Sequence, residues 1–380
     1  DLVLHFQYIR NFRICCPVVH VAKPTIGTSQ VAELHDNSVF EMRLDKGWLS
    51  VASNLIPNLL TTARALKKTR YAQSGGAGWA FPPSYYLLLL RVFMQFRWIF
   101  VMESSFWMKR DGDRRFSRRR LLHGVNQNLI ARCTRSADAR IFTQDWYREK
   151  FLGSHEAALV APATWIDDDV ILSQDALVIR TASQGRRPAR MLLATRLIAD
   201  KGIETILEAI ETLEQQHADN DEVRVEIDIM GEGPLKDRCK AAAKTPRRCS
   251  TLRVLDPVPY GKPFFARLAE YDAVLAPGLQ AEQPRIIFDA FSQGLACIAS
   301  NTAGVAGLVE HGQTGLLFAP GDAEALAEAL ACDEAAPDTL RRFGANGHAH
   351  ISGRTHKAMH RTREAFLKRV FKLEGDSNEA

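Results

Sequence analysis

Residues 190–203 of the chain are RMLLATRLIADKGI, and this stretch decides the fold class. The apolar run Arg190–Ala194 predicts a short buried strand. From Ile203 to Gln215, apolar residues recur at i, i+3 and i+4 spacing, which predicts an amphipathic helix. A strand that leads directly into a helix is the repeating unit of a doubly wound α/β sheet.

The same alternation of strands and helices continues toward the C-terminus. The further predicted strands are Val223–Met230, Thr251–Leu255, Ala273–Ala276 and Ala296–Ser300. A helix is predicted at Arg285–Gln293, with Gly294 at its C-terminal end. This order of elements predicts a parallel sheet with helices on both faces.

The N-terminal half shows the same pattern less regularly. Its predicted strands are Val39–Arg43, Trp98–Met102 and Ala139–Thr143, and its predicted helices are Leu49–Lys68 and Leu121–Ser136. These elements also favour an alternating α/β arrangement.

The length of 380 residues predicts two domains, because a domain usually holds about 100–200 residues. We place an N-terminal Rossmann-like domain at residues 1–165 and a C-terminal domain at 166–354. Residues 355–380 are predicted to form a helix that packs back on the N-terminal domain. The segment 157–181 has mixed character and is the predicted linker. Because the chain starts without Met, we expect the N-terminal domain to be incomplete at its start.

The composition narrows the class of protein. No apolar run reaches the roughly 20 residues of a membrane-spanning helix. The seven cysteines include no C-x-x-C pair, so neither a zinc site nor a disulfide framework is predicted, and a reducing, cytoplasmic compartment is favoured. His356 and His360 have metal-ligand spacing but no third ligand nearby, so we expect them on a solvated helix face and predict no metal site.

The charge distribution is uneven. Up to residue 160 there are 23 Lys and Arg against 12 Asp and Glu, whereas the rest of the chain is acidic. Lys109–Arg120 (KRDGDRRFSRRR) follows segments rich in apolar and aromatic residues, a combination that suits an anionic membrane surface. We therefore predict peripheral association at the inner face of the membrane through residues 109–120. A solvated loop is the alternative, and nucleic acid is the less favoured partner.

Five segments of the second half carry recognisable motifs. They are Thr195–Ile203 (TRLIADKGI), Ile229–Leu235 (IMGEGPL), Tyr271–Pro277 (YDAVLAP), Glu282–Gly294 (EQPRIIFDAFSQG) and Gly304–Asp322 (GVAGLVEHGQTGLLFAPGD). They resemble characteristic segments of family 4 retaining glycosyltransferases, in the order that the family has them. Together they extend over about 130 residues.

This resemblance implies the GT-B fold, in which two Rossmann-like doubly wound domains face each other across a cleft. It implies transfer of a sugar, with retention of configuration, from a UDP-, GDP- or ADP-sugar to a glycan, a lipid or another acceptor. No metal or other cofactor is implied. Two alternatives remain open: a catalytically inactive protein that binds a nucleotide-sugar or a partner, and an epimerase of the same fold.

The resemblance also implies the site residues. Arg196 and Lys201 would neutralise the donor diphosphate, Glu282 would contact the sugar, and Asp289 would contact the ribose. Gly231, Gly233, Gly304, Val305 and Thr314 are the further predicted donor-binding residues.

The chain departs from the family pattern in several places. The first acidic residue is usually one position earlier, where this chain has Ala281, and Glu282 is the nearest candidate. Gly307 stands where the family has a Glu. The glycine-rich loop expected near the first N-terminal strand is missing or has diverged. Glu103 and Ser104 follow the Trp98–Met102 strand and are the predicted acceptor-side residues.

Overall fold

The computed structural model describes residues 13–17, 39–76, 81–104, 108, 118–153, 158–182, 187–217, 224–351 and 353–373. The chain divides into two compact units. One comprises Asp1–Ala163 together with Lys357–Ala380, and the other comprises Thr164–His356. We call them the N-terminal and the C-terminal unit.

The described elements alternate along most of the chain. The strands are β1 (Ile14–Pro17), β2 (Val39–Met42), β3 (Tyr71–Gly75), β4 (Arg97–Met102), β5 (Ala139–Phe142), β6 (Ala158–Val160), β7 (Ala189–Ala194), β8 (Val225–Met230), β9 (Ser250–Leu255), β10 (Ala273–Ala276), β11 (Ala296–Ser300) and β12 (Gly315–Phe318). The α-helices are α1 (Trp48–Leu66), α2 (Pro83–Leu90), α3 (Arg118–Ser136), α4 (Asp145–Phe151), α5 (Gln174–Ala182), α6 (Ile203–Gln216), α7 (Lys236–Ala243), α8 (Lys262–Leu268), α9 (Arg285–Ser292), α10 (Ala323–Ala331), α11 (Pro337–Ala349) and α12 (His356–Phe371).

The C-terminal unit is built on a six-stranded sheet with the order β12-β11-β10-β7-β8-β9. Every neighbouring pair is parallel. The chain therefore starts in the middle of the sheet at β7, moves to one edge, and returns to continue from β10 to the other edge. This is the strand order of a Rossmann fold, and such sheets bind ligands outside the carboxyl ends of their strands, where the order reverses.

Both faces of this sheet are covered by apolar side chains. Met191 and Leu193 of β7 pack into one buried cluster with α6, and Leu192 packs into a second cluster with α9. A parallel strand that is buried on both faces is apolar at successive positions, which explains the run in RMLLA.

The N-terminal unit contains a four-stranded parallel sheet with the order β3-β4-β5-β6, and β1 and β2 form a separate parallel pair. The side chains of β4 alternate between two buried clusters. Trp98, Phe100 and Met102 pack on one side of the sheet, and Ile99 and Val101 pack on the other.

Helix α12 covers the second of these faces. Its residues Met359, Phe366 and Leu367 belong to the same buried cluster as Ile99 and Val101 of β4. The C-terminal segment of the chain therefore completes the core of the N-terminal unit.

The division between the two units, between Ala163 and Thr164, lies inside the predicted linker. The described part of this segment also contains β6, which pairs with β5, and most of α5. A three-residue strand is too short to show a hydrophobic period, so β6 was not predicted.

One expectation from the sequence is wrong. His356 and His360 are buried rather than solvated. Their helix packs against the protein on the face that carries them, which the spacing of two residues could not reveal.

We predict that Phe366 stabilises the N-terminal unit. It is 3% exposed, whereas Phe93 on the surface of the same unit is 86% exposed. Phe366→Ala should lower the free energy of unfolding by about 3–5 kcal/mol, because it removes a buried ring and leaves a cavity. The matched variant Phe93→Ala should change it by less than about 0.5 kcal/mol. Urea denaturation followed by tryptophan fluorescence measures both, and equal effects would contradict the packing of α12.

Candidate functional site

The turns that follow β7 and β8 pack directly on each other. The Leu197 amide donates to the Glu232 carbonyl at 2.9 Å, and the Leu197 carbonyl accepts from the Leu235 amide at 3.0 Å. A Cβ atom at Gly231 would collide with the Thr195 carbonyl, and one at Gly233 would collide with the backbone of Leu197. The two predicted donor-site glycines therefore allow the β8 turn to lie against the turn that carries Arg196.

The turn after β7 also packs against the segment that follows β10. Gly202 has a positive φ of 72°, and a Cβ atom there would collide with the Pro277 carbonyl. The Leu279 amide donates to the Asp200 carbonyl at 3.0 Å. These backbone contacts hold Lys201 next to the loop that contains Glu282.

Lys201 and Glu282 form an ion pair at this edge of the sheet. The Lys201 Nζ atom lies 3.1 Å from Glu282 Oε2, and both side chains are about a quarter exposed. The two residues are 81 positions apart in sequence. The structure thus brings together two of the residues that the resemblance assigns to the donor.

The turn after β11 completes this arrangement. A Cβ atom at Gly304 would collide with the backbone carbonyls of Glu282 and Ala281. Only a glycine permits this approach, so the turn at Gly304 lies against the loop of Glu282. The turns after β7, β10 and β11 therefore meet at one edge of the sheet, as parallel strands require.

Arg196 lies on the exposed part of the β7 turn. Within the described part of the chain, its guanidinium has no ion pair or hydrogen bond. It remains available to an anionic ligand at the same sheet edge as Lys201.

The side chains of Val305 and Thr314 are both turned into the protein. Val305 belongs to the buried cluster beneath α9. The Thr314 hydroxyl accepts from the Glu310 amide at 2.9 Å and closes the loop before β12. The structure therefore gives these two predicted donor-site side chains a role in shaping the loops. Gly304 is buried against the loop of Glu282, and the exposed part of the turn is Ala306 and Gly307.

Asp289 lies inside the unit, in helix α9. It is 6% exposed, and its Oδ1 atom accepts a hydrogen bond from the Tyr260 hydroxyl at 2.8 Å. Burial raises the pKa of Asp289 to about 7, although the Tyr260 hydrogen bond and the nearby Arg285 charge act in the opposite direction. Glu282 and Asp289 therefore have different environments: one is paired with a cation and the other is buried against a phenol.

Tyr260 belongs to an aromatic group that the sequence analysis missed. Its ring stacks on Phe264 with 5.6 Å between centroids and meets Trp165 edge-on at 6.3 Å. The Arg285 guanidinium lies 3.8 Å from the centre of the Trp165 ring. Trp165 and Tyr260 are both partly exposed. The sequence signal that could have identified Tyr260 is its position in the loop that follows β9, which ends at Leu255.

The predicted acceptor-side residues lie in the N-terminal unit, directly after β4. Glu103 is exposed and its Oε1 atom lies 3.6 Å from Arg363 Nη2 of α12. The Ser104 hydroxyl oxygen is buried. Among the residues that the structure describes, no three His, Cys, Asp or Glu side chains form a group that could hold a metal ion.

Comparison with known proteins supports a glycosyltransferase. Residues 188–332 match the family model described as "Glycosyl transferases group 1". The chain is 32% identical over 152 residues to an amylovoran biosynthesis glycosyltransferase of Erwinia amylovora, a match that covers 38% of this chain and 35% of that protein. It is 26% identical over 160 residues to an exopolysaccharide phosphotransferase of Streptomyces coelicolor, which covers 42% of this chain and 16% of that protein. This chain thus spans about a third or less of these relatives.

Two solved structures resemble nearly the whole chain. Sucrose-phosphate synthase from Thermosynechococcus elongatus has a TM-score of 0.68 at 16% identity and covers 95% of this chain and 88% of its own. HepE of Anabaena, solved with UDP-glucose, has a TM-score of 0.61 at 16% identity and covers 88% of this chain and 86% of its own. The fold is GT-B. The two Rossmann-like units that the sequence predicted are confirmed by these likenesses and by the parallel sheets.

We predict that the buried carboxyl of Asp289 makes stability depend on pH. Its pKa is raised from 3.8 to about 7 in the folded protein. The folded state therefore holds a proton that the unfolded state loses between these values, and stability falls as the pH rises toward 7. Above that pH the ionised, buried carboxylate lowers the free energy of unfolding by a few kcal/mol at most, because each pKa unit corresponds to about 1.4 kcal/mol.

The variant Asp289→Asn removes this cost. Its melting temperature should exceed that of the wild type at pH 8, and the difference should shrink steadily toward pH 5. Asp256→Asn is the matched control, because Asp256 is almost fully exposed. If the difference in melting temperature between Asp289→Asn and the wild type does not change between pH 5 and 8, the carboxyl of Asp289 does not titrate in this range.

Proposed function

We propose that the chain is a glycosyltransferase that moves a sugar from a nucleoside diphosphate sugar to an acceptor, with retention of configuration and without a metal ion. The observation that carries this proposal is the convergence of Lys201, Glu282 and the turn of Arg196 at the carboxyl edge of a sheet in Rossmann order. The match of residues 188–332 to glycosyltransferases supports the same conclusion.

The chemistry of the site follows from its charges. When the bond between sugar and diphosphate breaks, negative charge grows on the leaving diphosphate. Arg196 and Lys201 stabilise that charge, so they stabilise the transition state more than the bound donor. Two fixed cations would serve in place of the divalent metal that diphosphate chemistry otherwise uses.

Glu282 contacts the transferred sugar in this proposal. A carboxylate accepts hydrogen bonds from adjacent hydroxyl groups, and Glu282 lies beside the cation that would hold the diphosphate. The donor diphosphate takes over from Glu282 as the partner of Lys201, and the released carboxylate then turns to the sugar. Asp289 and Tyr260 line the ribose side of the same edge.

The donor nucleotide is a UDP-, GDP- or ADP-sugar. We place UDP first, because HepE, which shares the fold, was solved with UDP-glucose. The acceptor is a glycan or a lipid-linked molecule, and the Erwinia relative is named for amylovoran biosynthesis.

A binding protein without transfer activity is the second candidate. Ala281 occupies the position of the family's first acidic residue, and the Asp289 carboxylate is already engaged by Tyr260. Release of UDP, GDP or ADP from the matching glucose donor, measured beside nucleotide binding, separates the two. Binding without release over a range of acceptors favours the inactive protein.

We predict that the two cations of the site dominate nucleotide affinity. Arg196→Ala and Lys201→Ala should each weaken the binding of the preferred nucleoside diphosphate at least about tenfold, since a charge-assisted contact contributes about 1.5–3 kcal/mol. Lys262→Ala is the matched control, because Lys262 forms an exposed ion pair with Asp169 in the same unit. Isothermal titration calorimetry with UDP, GDP and ADP measures these affinities.

Glu282→Gln should reduce transfer more than it reduces binding of the free nucleotide, because its proposed partner is the sugar. If the wild type binds none of the three nucleotides, or if both cation variants bind as well as the Lys262→Ala control, the donor site is not at this edge.

We further propose that the protein associates peripherally with the cytoplasmic face of a membrane. Residues 109–117 of the predicted basic segment lie outside the described residues, but Arg118 starts helix α3. Helices α1, α2 and α3 pack side by side and contain no Asp or Glu. Val92 and Phe93 are exposed in the turn that follows α2, and Leu121 is exposed in the first turn of α3. No described helix is long and apolar enough to cross a membrane.

We predict that Val92 and Phe93 insert into anionic membranes. Replacing both with Ser should lower co-sedimentation with phosphatidylglycerol vesicles at least about threefold, because apolar insertion and basic residues act together. The control is the double Ser variant of Val178 and Ile179, an apolar pair that is also more than half exposed and lies in the C-terminal unit. Equal sedimentation of both variants, or equal binding to neutral and anionic vesicles, would contradict the proposal.

A further inference from the structure

Arg363 is a buried cation whose hydrogen-bonding groups are largely unused. It lies on helix α12 of the N-terminal unit and is 3% exposed. In the part of the chain that the structure describes, its Nε and Nη2 atoms are buried and have no hydrogen-bond partner. These two atoms form one edge of the guanidinium, which is the edge that binds two oxygens of a carboxylate or a phosphate side by side.

A second unpaired polar group belongs to the residue that follows Glu103 in the chain. Glu103 Oε1 is 3.6 Å from Arg363 Nη2, and Ser104 is the next residue in the chain. The Ser104 hydroxyl oxygen is buried and has no hydrogen-bond partner among the described residues. Buried polar groups are nearly always paired in folded proteins. An unpaired guanidinium edge close to Glu103 and an unpaired hydroxyl on the next residue therefore indicate a place for a ligand.

Glu103 does not satisfy Arg363. Its carboxylate is 54% exposed, and the distance of 3.6 Å exceeds that of a hydrogen bond. A purely structural ion pair would be expected to bury both partners at hydrogen-bonding distance, since only the pairing offsets the loss of water around the cation. Glu103 instead lies at the exposed side of the guanidinium, where a stronger anionic ligand could displace it.

We propose that Arg363 and Ser104 bind an oxyanion of the molecule that the N-terminal unit receives. The ligand group is a phosphate or a carboxylate, held by the Nε and Nη2 atoms of Arg363 and by the Ser104 hydroxyl. The proposal rests on the proposed function in one respect, which is that the oxyanion belongs to a substrate of sugar transfer. That oxyanion is either a phosphate of a lipid-linked acceptor or the carboxylate of a uronic acid. The site itself follows from the N-terminal unit alone.

The test is calorimetric titration of the full chain with two probes, inorganic phosphate and glucuronate. The titrations are done in the wild type and in a Lys201→Ala background, so that binding at the donor edge is subtracted. Arg363→Gln should weaken binding of the preferred probe at least about tenfold, and Ser104→Ala about threefold. Arg361→Gln is the matched control, because it removes the same charge from an exposed position of the same helix.

Glu103→Gln separates a ligand site from a structural ion pair. If Glu103 competes with the ligand, this variant should bind the probe about threefold to tenfold more tightly, because a like charge is removed from beside the oxyanion. If the pair is structural, the variant loses thermal stability and its affinity for the probe does not rise, which overturns the proposal. Arg363→Lys, which keeps the charge, serves where Arg363→Gln does not fold, and it should still weaken binding because it loses the two-point contact.

The two probes distinguish the sources of the oxyanion: tighter binding of phosphate assigns a phosphorylated acceptor, and tighter binding of glucuronate assigns a uronic acid. No binding of either probe, or equal binding by the wild type and Arg363→Gln, overturns the site. A parallel titration with UDP distinguishes this proposal from that of the donor site, because Arg363→Gln should leave the affinity for UDP unchanged. If UDP does not bind, the donor-site proposal is refuted, whereas the proposal for Arg363 and Ser104 is not affected.

Discussion

The candidate site depends on how closely backbone segments approach each other at the carboxyl edge of the C-terminal sheet. Glycines stand where the turn of one strand touches the next: Gly202 against Pro277, Gly231 against Thr195, and Gly304 against the loop of Glu282. Any side chain at these positions would push the turns apart. The short distance between Lys201 and Glu282 is a consequence of that packing, and the charges by themselves could not have produced it.

The two acidic residues of this edge show how environment separates identical chemistry. Glu282 lies beside a lysine and remains partly exposed, whereas Asp289 is enclosed and accepts a hydrogen bond from Tyr260. Burial raises the pKa of Asp289 and so favours its neutral form. In the function that we propose, Glu282 contacts the sugar, whereas Asp289 holds a fixed hydrogen-bonding position against Tyr260.

Helix α12 has two roles in the N-terminal unit. The apolar face of α12 closes the core against β4, and Arg363 on the same helix brings a cation to the end of that strand. A buried guanidinium is costly unless anions or acceptors surround it. The packing of Phe366 and Leu367 holds the helix in place and offsets part of that cost, so the position of Arg363 depends on the core beneath it.

The sequence by itself determined the parallel architecture, and it predicted that Lys201 and Glu282 meet at the carboxyl edge of the C-terminal sheet. Strands such as β7 and β10 are buried on both faces, so their apolar runs are visible without any knowledge of their partners. The strand β3 (YAQSG) escaped prediction, because it lacks an apolar run and exists only through its pairing with β4. The tertiary structure alone decided that Tyr260 caps Asp289 and that Arg363 meets Glu103. These pairs join residues far apart in the chain, and burial and hydrogen bonding between such residues arise only when the elements pack.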